Sequence, residues 1–420
     1  MIQLLIVADD FTGALDTGVQ LAACGAPTRV LTDPHADLAQ AARDVQVLVL
    51  DAETRHLTPQ RAYDIVYDIA KRAAALGVPY FYKKTDSALR GNVGAELAAV
   101  LDATGAAQLP FFPAFPQMDR CTVDGVHYIG KTPVAESVFG QDPFEPVTES
   151  NVAALIAAQT ETPVVSLSPL QAADPLPAQQ GILAFDASTE ADLAVTGQRL
   201  LEADRLHLMA GCAGFAALLP DLLHLRSDTP PAHPVLDPRL LMLCGSVNPI
   251  TTAQTDVAER AGFTRLRMTP EQKLTPGYWD TPDGQRLLGI WAAVLKGKTH
   301  CIIDSNDAQG NEATAQYAAA HGLTIEDVRV RIAGTLGQVL KQLNRRVELG
   351  TLLITGGDTL LLCMEEMGVH ELEPLCELAS GVVLSRFVLE GRERHVISKS
   401  GGFGAPSLLC DLVQQLGSPL

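Results

Sequence analysis

The stretch PYFYKKTDSALRGNVGAEL, residues 79–97, combines the end of a strand, a polar loop and the start of a helix. The apolar run Val78–Tyr82 predicts the strand, and the apolar repeat over Gly94–Asp102 predicts the helix. The loop between them carries cationic, acidic and hydroxyl side chains, namely Lys83, Asp86, Ser87 and Arg90. Cations bind carboxylates and the other groups bind hydroxyls, so the loop predicts a site for a small polyhydroxylated acid. A charge cluster on the protein surface is the alternative.

Strand–loop–helix units of this kind recur along the whole chain. In the first half, strands are predicted at 3–8, 45–50, 78–82, 108–112, 181–185 and 206–210, and helices at 13–24, 59–76 and 94–102. In the second half, strands are predicted at 240–244, 300–304, 351–355 and 394–398, and helices at 249–261, 360–367 and beyond residue 404. Thr58 and Pro59 suit the cap and first position of the 59–76 helix. This alternation predicts an α/β fold with mostly parallel sheets flanked by helices.

A proline-rich segment separates the two runs of alternation. RSDTPPAHPVLDP, residues 226–238, has four prolines and few residues that could enter a core. A chain of 420 residues is long enough for two or three domains of roughly 150 residues each. We therefore predict one α/β domain over 1–226, a linker over 227–238 and a second α/β domain over 239–420. We expect the active site in the cleft between the two domains.

The composition argues against several classes of protein. A net charge of −18 and an isoelectric point near 4.9 disfavour nucleic-acid binding, which needs a basic face. No apolar run approaches the roughly 20 residues of a membrane span, and the opening MIQLLIVADD lacks the basic region of a signal peptide. Eight cysteines without a CxxC pair indicate reduced core thiols. We predict a cytoplasmic protein without nucleic-acid or membrane partners, and a homodimer stays open.

Two further positions in the first half follow predicted strands. Asp9 and Asp10 come directly after the first strand and open a helix. Ligands of α/β sheets bind beyond the carboxyl ends of the strands, so this pair could bind substrate hydroxyls or a metal. The alternative is that Asp10 or Thr12 only caps the helix. Arg55 follows the second predicted strand and could clamp a carboxylate, although a solvated arginine is the simpler explanation.

Glycine-bearing turns between strand and helix recur three times in the second half. Gly356-Gly357-Asp358-Thr359 follows a buried strand, and Cys244–Pro249 and Lys399–Gly404 have the same context. Glycine lets backbone N–H groups approach a phosphate closely, and a helix N-terminus favours the anion. Together the turns predict a nucleotide phosphate pocket. A plain glycine turn with Asp358 as helix cap is the alternative for the first of them.

The segment 113–132 contains a misleading motif. Residues 125–132, GVHYIGKT, match the P-loop pattern GxxxxGK[ST] in every letter. A P-loop needs a buried strand before it and a helix after it, whereas Pro133 follows here and the bulky residues 126–129 suit a strand. We therefore reject a P-loop. The proline- and aromatic-rich stretch 113–127 is expected to form a loop that walls the pocket or has only a structural role.

With these residues in view, the chain resembles the four-carbon acid sugar kinases, which include D-threonate, D-erythronate and 3-oxo-tetronate kinases. The resemblance runs from Ala8 to Gly404. It rests on motifs in a fixed order: ADDFTGALDTG, KKTDSALRGNVGAE, PAFPQMDRCTVDGVHY, CGSVNPIT, TGGDT and SKSGGFG. Thr85 and Ala88 depart from residues common in the family. The resemblance implies an N-terminal acid-sugar domain and a C-terminal ATP domain that close on each other.

The resemblance also implies roles for individual residues. Those expected to face the sugar acid are Asp9, Asp10, Arg55, Asp86, Ser87 and Arg90. Apart from the resemblance, we expect the cationic cluster of Lys83, Arg55 and Arg90 to fix the carboxylate of the acid. Those expected to face ATP are Ser246, Gly356, Gly357, Asp358, Thr359 and Gly401. Asp358 is the candidate by position for accepting the proton of the acceptor hydroxyl, with Asp10 and Asp86 as rivals. The metal ligands stay unassigned.

The predicted activity is transfer of a phosphoryl group from ATP, with Mg2+, to the terminal hydroxyl of a four-carbon sugar acid. D-threonate or D-erythronate would give the 4-phosphate. A 3-oxo-tetronate kinase and a non-catalytic sugar-acid sensor are the alternatives, although a sensor has no need of the glycine turns. A phosphosugar isomerase or a dehydrogenase is a further alternative, but no GxGxxG motif follows the first strand.

Overall fold

The computed structural model contains two compact units, Met1–Pro231 and Ala232–Leu420. It describes residues 2–142, 145–171, 174–226, 234–308 and 310–416. Most of the predicted linker, residues 227–233, lies outside the described residues. Each unit has its own sheet and its own hydrophobic core. Among the described residues, no helix has both the length and the apolar character needed to cross a bilayer.

The N-terminal unit is built on a parallel sheet with helices between its strands. Its strands are β1 Leu4–Ala8, β2 Thr28–Leu31, β3 Val47–Asp51, β4 Tyr80–Lys84, β5 Gln108–Phe112, β6 Arg120–Val123, β7 Val126–Ile129, β8 Thr132–Pro133, β9 Val164–Leu167, β10 Gly181–Phe185 and β11 Leu208–Gly211. Its helices are α1 Phe11–Ala23, α2 Leu38–Ala41, α3 Pro59–Leu76, α4 Val93–Thr104, α5 Val152–Ala157, α6 Glu190–Glu202, α7 Ala213–Ala216 and α8 Leu219–Leu222.

The main sheet of this unit has the order β2-β3-β1-β4-β11-β5-β10-β9, and the strand pairs are parallel. β1 and β3 are buried along their whole length, because helices cover both faces of a parallel sheet and each strand then becomes a continuous apolar run. This is why the sequence pattern located them. β6, β7 and β8 form a small antiparallel sheet.

Three local predictions for this unit can be compared with the structure. β4 extends to Lys84, so Lys83 lies in the strand and not in the loop that follows it. Thr58 occupies the cap position of α3, but its side chain makes no capping hydrogen bond; Pro59 begins the helix as expected. The rejection of a P-loop is confirmed, because residues 126–129 form β7, paired with β6 in an antiparallel hairpin.

The C-terminal unit has a second sheet. Its strands are β12 Leu240–Cys244, β13 Thr264–Arg267, β14 His300–Asp304, β15 Thr351–Thr355, β16 Glu371–Ala379, β17 Val382–Leu389 and β18 Arg392–Lys399. Its helices are α9 Pro249–Arg260, α10 Pro270–Leu274, α11 Pro282–Gly297, α12 Glu312–Ala320, α13 Ile325–Asn344, α14 Gly357–Met367 and α15 Leu408–Gln415.

Five strands of this second sheet are parallel, in the order β13-β14-β12-β15-β18. β17 pairs antiparallel with β18, and β16 pairs antiparallel with β17. The prediction of mostly parallel α/β sheets is therefore confirmed. The parallel strands β2, β9 and β13, the antiparallel strands β16 and β17, and the long helices α6, α11 and α13 were missed. β16 is only partly buried, so it lacks the apolar run by which the other strands were found.

The eight cysteines are all free thiols. Four of them are buried and the other four are partly exposed. The prediction that they are core residues therefore holds for only half of them.

Candidate functional site

Three loops at the carboxyl edge of the N-terminal sheet bring their polar side chains together. Asp9 and Asp10 follow β1, and Arg55 follows β3. Asp86 follows β4, which lies on the other side of β1. Because the three strands are parallel and adjacent, their carboxyl ends meet at one edge. Asp10 also caps α1, because its Oδ1 accepts a hydrogen bond from the Gly13 N–H at 3.0 Å. The capping alternative is therefore correct for Asp10, and it does not conflict with the position of this residue in the cluster.

Arg55 lies at the centre of this cluster. Its Nε donates to Asp9 Oδ2 at 2.8 Å, and its Nη1 donates to Asp10 Oδ2 at 2.9 Å. Its Nη2 lies 2.7 Å from Asp10 Oδ1 and 3.7 Å from Asp86 Oδ1. The side chain is 9% exposed, so the alternative of a solvated arginine is wrong. Arg55 is a buried arginine that holds the three loops in register.

Arg90 forms a second ion pair at the same edge. Its Nε lies 3.0 Å from Asp86 Oδ2, and its Nη1 lies 3.3 Å from Asp142 Oδ2. Asp86 Oδ2 also accepts from the backbone N–H groups of Ala88 and Arg90 at 3.1 and 3.3 Å. These bonds fix the loop that follows β4.

The cations determine the protonation of the buried carboxyl groups. Burial alone would raise the pKa of Asp9, but Arg55 and Lys84 prevail and hold that pKa below its usual value. Burial acts in the same direction on Asp86, yet Arg90 and Arg55 hold its pKa well below the usual value. Both groups are therefore carboxylates at neutral pH.

The two lysines of β4 point to opposite faces of the sheet, as alternate residues of a strand do. Lys83 Nζ lies 2.9 Å from Glu96 Oε2 in α4, and the lysine side chain is 0% exposed. Glu96 also accepts a short hydrogen bond from the Thr54 hydroxyl. Lys84 Nζ instead lies 4.0 Å from Asp9 Oδ1. The structure thus places Lys84, rather than Lys83, beside the Asp9 cluster.

Ser87 contacts a residue that the sequence did not single out. Its hydroxyl accepts a short hydrogen bond from Arg120 Nη1, and its carbonyl oxygen is 3.0 Å from His127 Nε2. His127 Nδ1 lies 3.0 Å from the Thr122 hydroxyl. Burial lowers the pKa of His127 to about 4, so the imidazole is neutral at pH 7. The segment expected to form a loop is therefore a hairpin that supports Ser87.

The C-terminal unit brings its three glycine turns to one sheet edge. The turns follow β12, β15 and β18, which are adjacent parallel strands. A Cβ atom on Gly401 would lie 2.9 Å from Ser246 Oγ, and one on Gly245 would lie 2.0 Å from Thr359 Oγ1. Gly356 has a φ of +100°, which favours glycine. The turns predicted to face a nucleotide therefore lie against one another.

Lys399 lies beneath the last of these turns. Its Nζ donates to the carbonyl oxygens of Ser400 and Gly401 at 3.0 and 3.2 Å, and lies 3.1 Å from the Thr251 hydroxyl. The residue is buried, and burial lowers the pKa of its ammonium group to about 8. Carbonyl oxygens that point toward Lys399 leave the following N–H groups, those of Gly401 and Gly402, directed away from it, because the peptide units are trans.

Asp358 lies in the first turn of α14, next to Gly357. The cap residue of this helix is Gly356, so the alternative that Asp358 serves as the helix cap is wrong. Its Oδ2 lies 2.5 Å from Arg329 Nη1 in α13, and its side chain is 38% exposed. Among the described residues, no group of three or more His, Cys, Asp or Glu side chains is arranged to hold a metal ion.

Sequence reasoning did not identify Lys84, Glu96 and Arg120 as functional candidates. Glu96 carries the one available signal, because it is an acidic residue within the apolar run VGAELAAVL and such a residue needs a buried partner. The sequence could not distinguish the roles of Lys83 and Lys84, because it did not show at which residue β4 ends. Arg120 comes 33 residues after Ser87, and no local pattern connects the two.

Two family models together match most of the chain. A sugar-binding N-terminal domain matches residues 4–219, and a nucleotide-binding C-terminal domain matches residues 241–409. Among solved structures, a Salmonella typhimurium LT2 protein has a TM-score of 0.79 at 19% identity, over 99% of this chain and 100% of that one. A Haemophilus influenzae protein has a TM-score of 0.74 at 20% identity, with the same coverage. These two likenesses concern the fold alone.

Similar proteins of known activity span almost the whole chain. A D-threonate kinase of Salmonella typhimurium is 29% identical, over 97% of each chain. A D-erythronate kinase of Heliobacterium modesticaldum is 26% identical, over 99% of this chain and 97% of its own. A 3-oxo-tetronate kinase of Cupriavidus necator is 24% identical, over 98% of this chain and 96% of its own. The matched domains and these relatives show that the chain belongs to the four-carbon acid sugar kinase family.

Proposed function

We propose that this protein is an ATP-dependent kinase that phosphorylates the terminal hydroxyl of a four-carbon sugar acid. D-threonate or D-erythronate would be converted to its 4-phosphate. The observation that carries the proposal is the buried cluster of Asp9, Asp10, Arg55 and Asp86 at the carboxyl edge of a unit that matches a sugar-binding domain. The names of the kinase relatives support the same chemistry.

The cluster has acceptors that suit sugar hydroxyl groups. Asp9 Oδ1 is buried and has no hydrogen-bond donor among the described residues. A buried acceptor without a donor costs free energy, and a hydroxyl group of the substrate would remove that cost. Asp10 is more exposed, with 21% of its side chain accessible, so it could receive a second hydroxyl. Arg55 and Arg90 would keep the loops that carry these acceptors in place.

The glycine turns of the C-terminal unit suit the phosphates of ATP. The N–H groups of Gly401 and Gly402 point away from Lys399, and successive outward N–H groups form an anion-binding concavity. Ser246 lies beside Gly401 and Thr359 beside Gly245, so both hydroxyls could also reach phosphate oxygens. Mg2+ would add charge neutralisation between the phosphates. It usually takes one or two carboxylates with phosphate and water oxygens, which Asp358 fits.

In this proposal catalysis depends mainly on positioning and charge. The N-terminal unit would hold the acid so that its terminal hydroxyl is presented for in-line attack. The C-terminal turns would hold the γ-phosphoryl group and offset its charge. As the new P–O bond forms and the bond to ADP breaks, the hydroxyl proton would pass to a carboxylate, for which Asp358 is our candidate.

The proposal is tested by a coupled ADP-release assay with MgATP. The panel should hold D- and L-threonate, D- and L-erythronate, 3-oxo-tetronates and glycerate. Strong turnover of one or two four-carbon acids is the expected result. Preference for a 3-oxo-tetronate would select the alternative that the third relative represents. Binding of an acid without ADP release, together with no stabilisation by ATP, would support a sugar-acid sensor and contradict the kinase.

Asp358→Asn tests the proposed proton acceptor. We expect kcat to fall by about 100-fold or more. Because the same carboxylate is our candidate for holding Mg2+, the KM for ATP should rise as well. Arg329→Gln is the matched control, because it removes the ion-pair partner of Asp358 but leaves the carboxylate in place. Turnover of Asp358→Asn within about tenfold of the unmodified protein would remove Asp358 from this role and leave Asp10 and Asp86.

A further inference from the structure

The arginines of the N-terminal site differ in how far their charge is already balanced. Arg55 contacts both Asp9 and Asp10 within 3 Å. Arg90 contacts Asp86 and Asp142. A guanidinium group that already pairs with two carboxylates has little capacity left for the carboxylate of a substrate. These two arginines are therefore better suited to fixing the loops than to binding an acid.

Arg120 differs from Arg55 and Arg90 because no carboxylate group pairs with it among the described residues. It is partly buried at the start of β6, and its Nη1 donates to the Ser87 hydroxyl, which is neutral. Within the described part of the chain, no carboxylate oxygen lies within 4.0 Å of its guanidinium nitrogens. Burial lowers the pKa of Arg120 despite the more distant charge of Asp86. A lowered pKa means that the cation is destabilised at this position, and a bound anion would reverse that effect.

A second observation concerns the ring of Phe139. The Arg120 Cζ atom lies 5.2 Å from the centre of this ring, and the Arg90 Cζ atom lies 5.3 Å from it. Two guanidinium groups against one ring repel each other, and Arg90 contributes to the lowered pKa of Arg120. Phe139 restricts the orientation of both groups. The arrangement is a preformed place for one anion next to Ser87 and Asp86.

We infer that Arg120, oriented by Ser87 and Phe139, binds the carboxylate of the sugar acid and selects acids over neutral polyols. The inference rests on the proposed function and names the recognition group of that site. The carboxylate would lie at Arg120, and the hydroxyl groups of the acid would extend toward Asp9 and Asp10. This replaces the earlier expectation that Lys83, Arg55 and Arg90 bind the carboxylate.

The test compares acids with their neutral analogues. ADP release is measured for D-threonate and D-erythronate and for threitol and erythritol, which lack the carboxylate. Arg120→Met is expected to raise the KM for the acid by about 100-fold, while kcat/KM for the polyol changes less than threefold. Arg120→Lys, which keeps the charge but not the planar fork, should fall between the two. A general loss of structure would instead lower turnover of acid and polyol alike.

Arg205→Met is the matched control. Arg205 is also partly buried in the N-terminal unit, but it bonds Gln108 and Pro177 at the opposite, amino edge of the sheet. The KM of the Arg205→Met variant for the acid should equal that of the unmodified protein. An Arg120→Met protein that still binds the acid within threefold of the unmodified protein would overturn the inference and leave the kinase proposal intact. Failure of the unmodified protein to turn over any acid would overturn the proposed function and the inference with it.

Discussion

At the scale of single residues, the site depends on which charges are buried together. Lys83 and Glu96 are 0% and 2% exposed and 2.9 Å apart, so each offsets part of the cost of burying the other. Burial raises the pKa of Glu96 even with Lys83 beside it. This pair ties α4 to β4 and so fixes the loop between them, which carries Asp86, Ser87 and Arg90. We therefore expect Lys83 to hold this loop in place rather than to contact the substrate.

Lys83→Met tests this structural role. It leaves Glu96 buried without a cation, and we expect the free energy of unfolding to fall by about 3–5 kcal/mol. The double variant Lys83→Met, Glu96→Gln should recover part of that loss. Lys71→Met, at an exposed lysine of α3, is the control and should stay within about 0.5 kcal/mol. Unfolding in denaturant, followed by circular dichroism, measures the free energy of unfolding of these three variants. Unchanged stability with a raised KM for the acid would favour direct binding by Lys83.

At the scale of elements, the glycine turns of the C-terminal unit pack closely against side chains of neighbouring helices. The turn after β12 packs against the first turn of α14, and a Cβ on Gly245 would lie 2.0 Å from Thr359 Oγ1 and 3.3 Å from Leu336 Cδ1. Glycine is therefore needed there for space. A side chain there would push α14 away from the turn and so disturb the phosphate site that we propose.

Gly245→Ala is expected to weaken ADP binding by at least tenfold and to destabilise the C-terminal unit by about 1–3 kcal/mol. Gly289→Ala is the matched control, because Gly289 lies in α11 with nothing within 4 Å of an added Cβ. That variant should be more stable by roughly 0.5–1 kcal/mol, since alanine favours a helix over glycine. Trp279 and Trp291, both in this unit, report its unfolding by fluorescence. Normal ADP affinity in Gly245→Ala would contradict a phosphate site at this turn.

At the scale of the whole molecule, an acidic chain has to bind two anionic substrates. With a net charge of −18, the overall field opposes their approach, so binding depends on local cations and backbone amides. In our proposals these are Arg120 in the N-terminal unit and the glycine turns above Lys399 in the C-terminal unit. The proposal therefore assigns one ligand to each unit.

Hydrogen exchange of the full chain tests whether the sugar acid binds the N-terminal unit and the nucleotide binds the C-terminal unit. D-threonate or D-erythronate should slow exchange in the loops after β1, β3 and β4, and ADP should slow exchange in the turns after β12, β15 and β18. A ligand at 100 times its Kd stabilises the state that binds it by about 2.7 kcal/mol, which is readily detected. Sodium sulfate at equal ionic strength controls for screening. An acid that protects only the C-terminal turns would contradict the assignment.

The amino-acid sequence alone determined the α/β class, most strands of the parallel sheets and the loops that carry the candidate site residues, whereas β2, β9 and β13 were not predicted. A strand buried on both faces must be a continuous apolar run, as β1, β3, β12 and β15 are. Parallel strands also bring their carboxyl ends to one edge, so Asp9, Arg55 and Asp86 could be grouped before any coordinates were known. These features depend on short-range pattern and on chain connectivity, both of which are present in the sequence.

Only the tertiary structure decided which charged group faces which partner. Lys83 and Lys84 are neighbours in the sequence, but the end of β4 and the packing of α4 send one to Glu96 and the other toward Asp9. Arg120 reaches Ser87 because the β6–β7 hairpin folds back over the site. Such contacts join residues far apart in the chain, and burial makes their pairing energetically decisive. Neither the separation nor the burial can be read from local sequence.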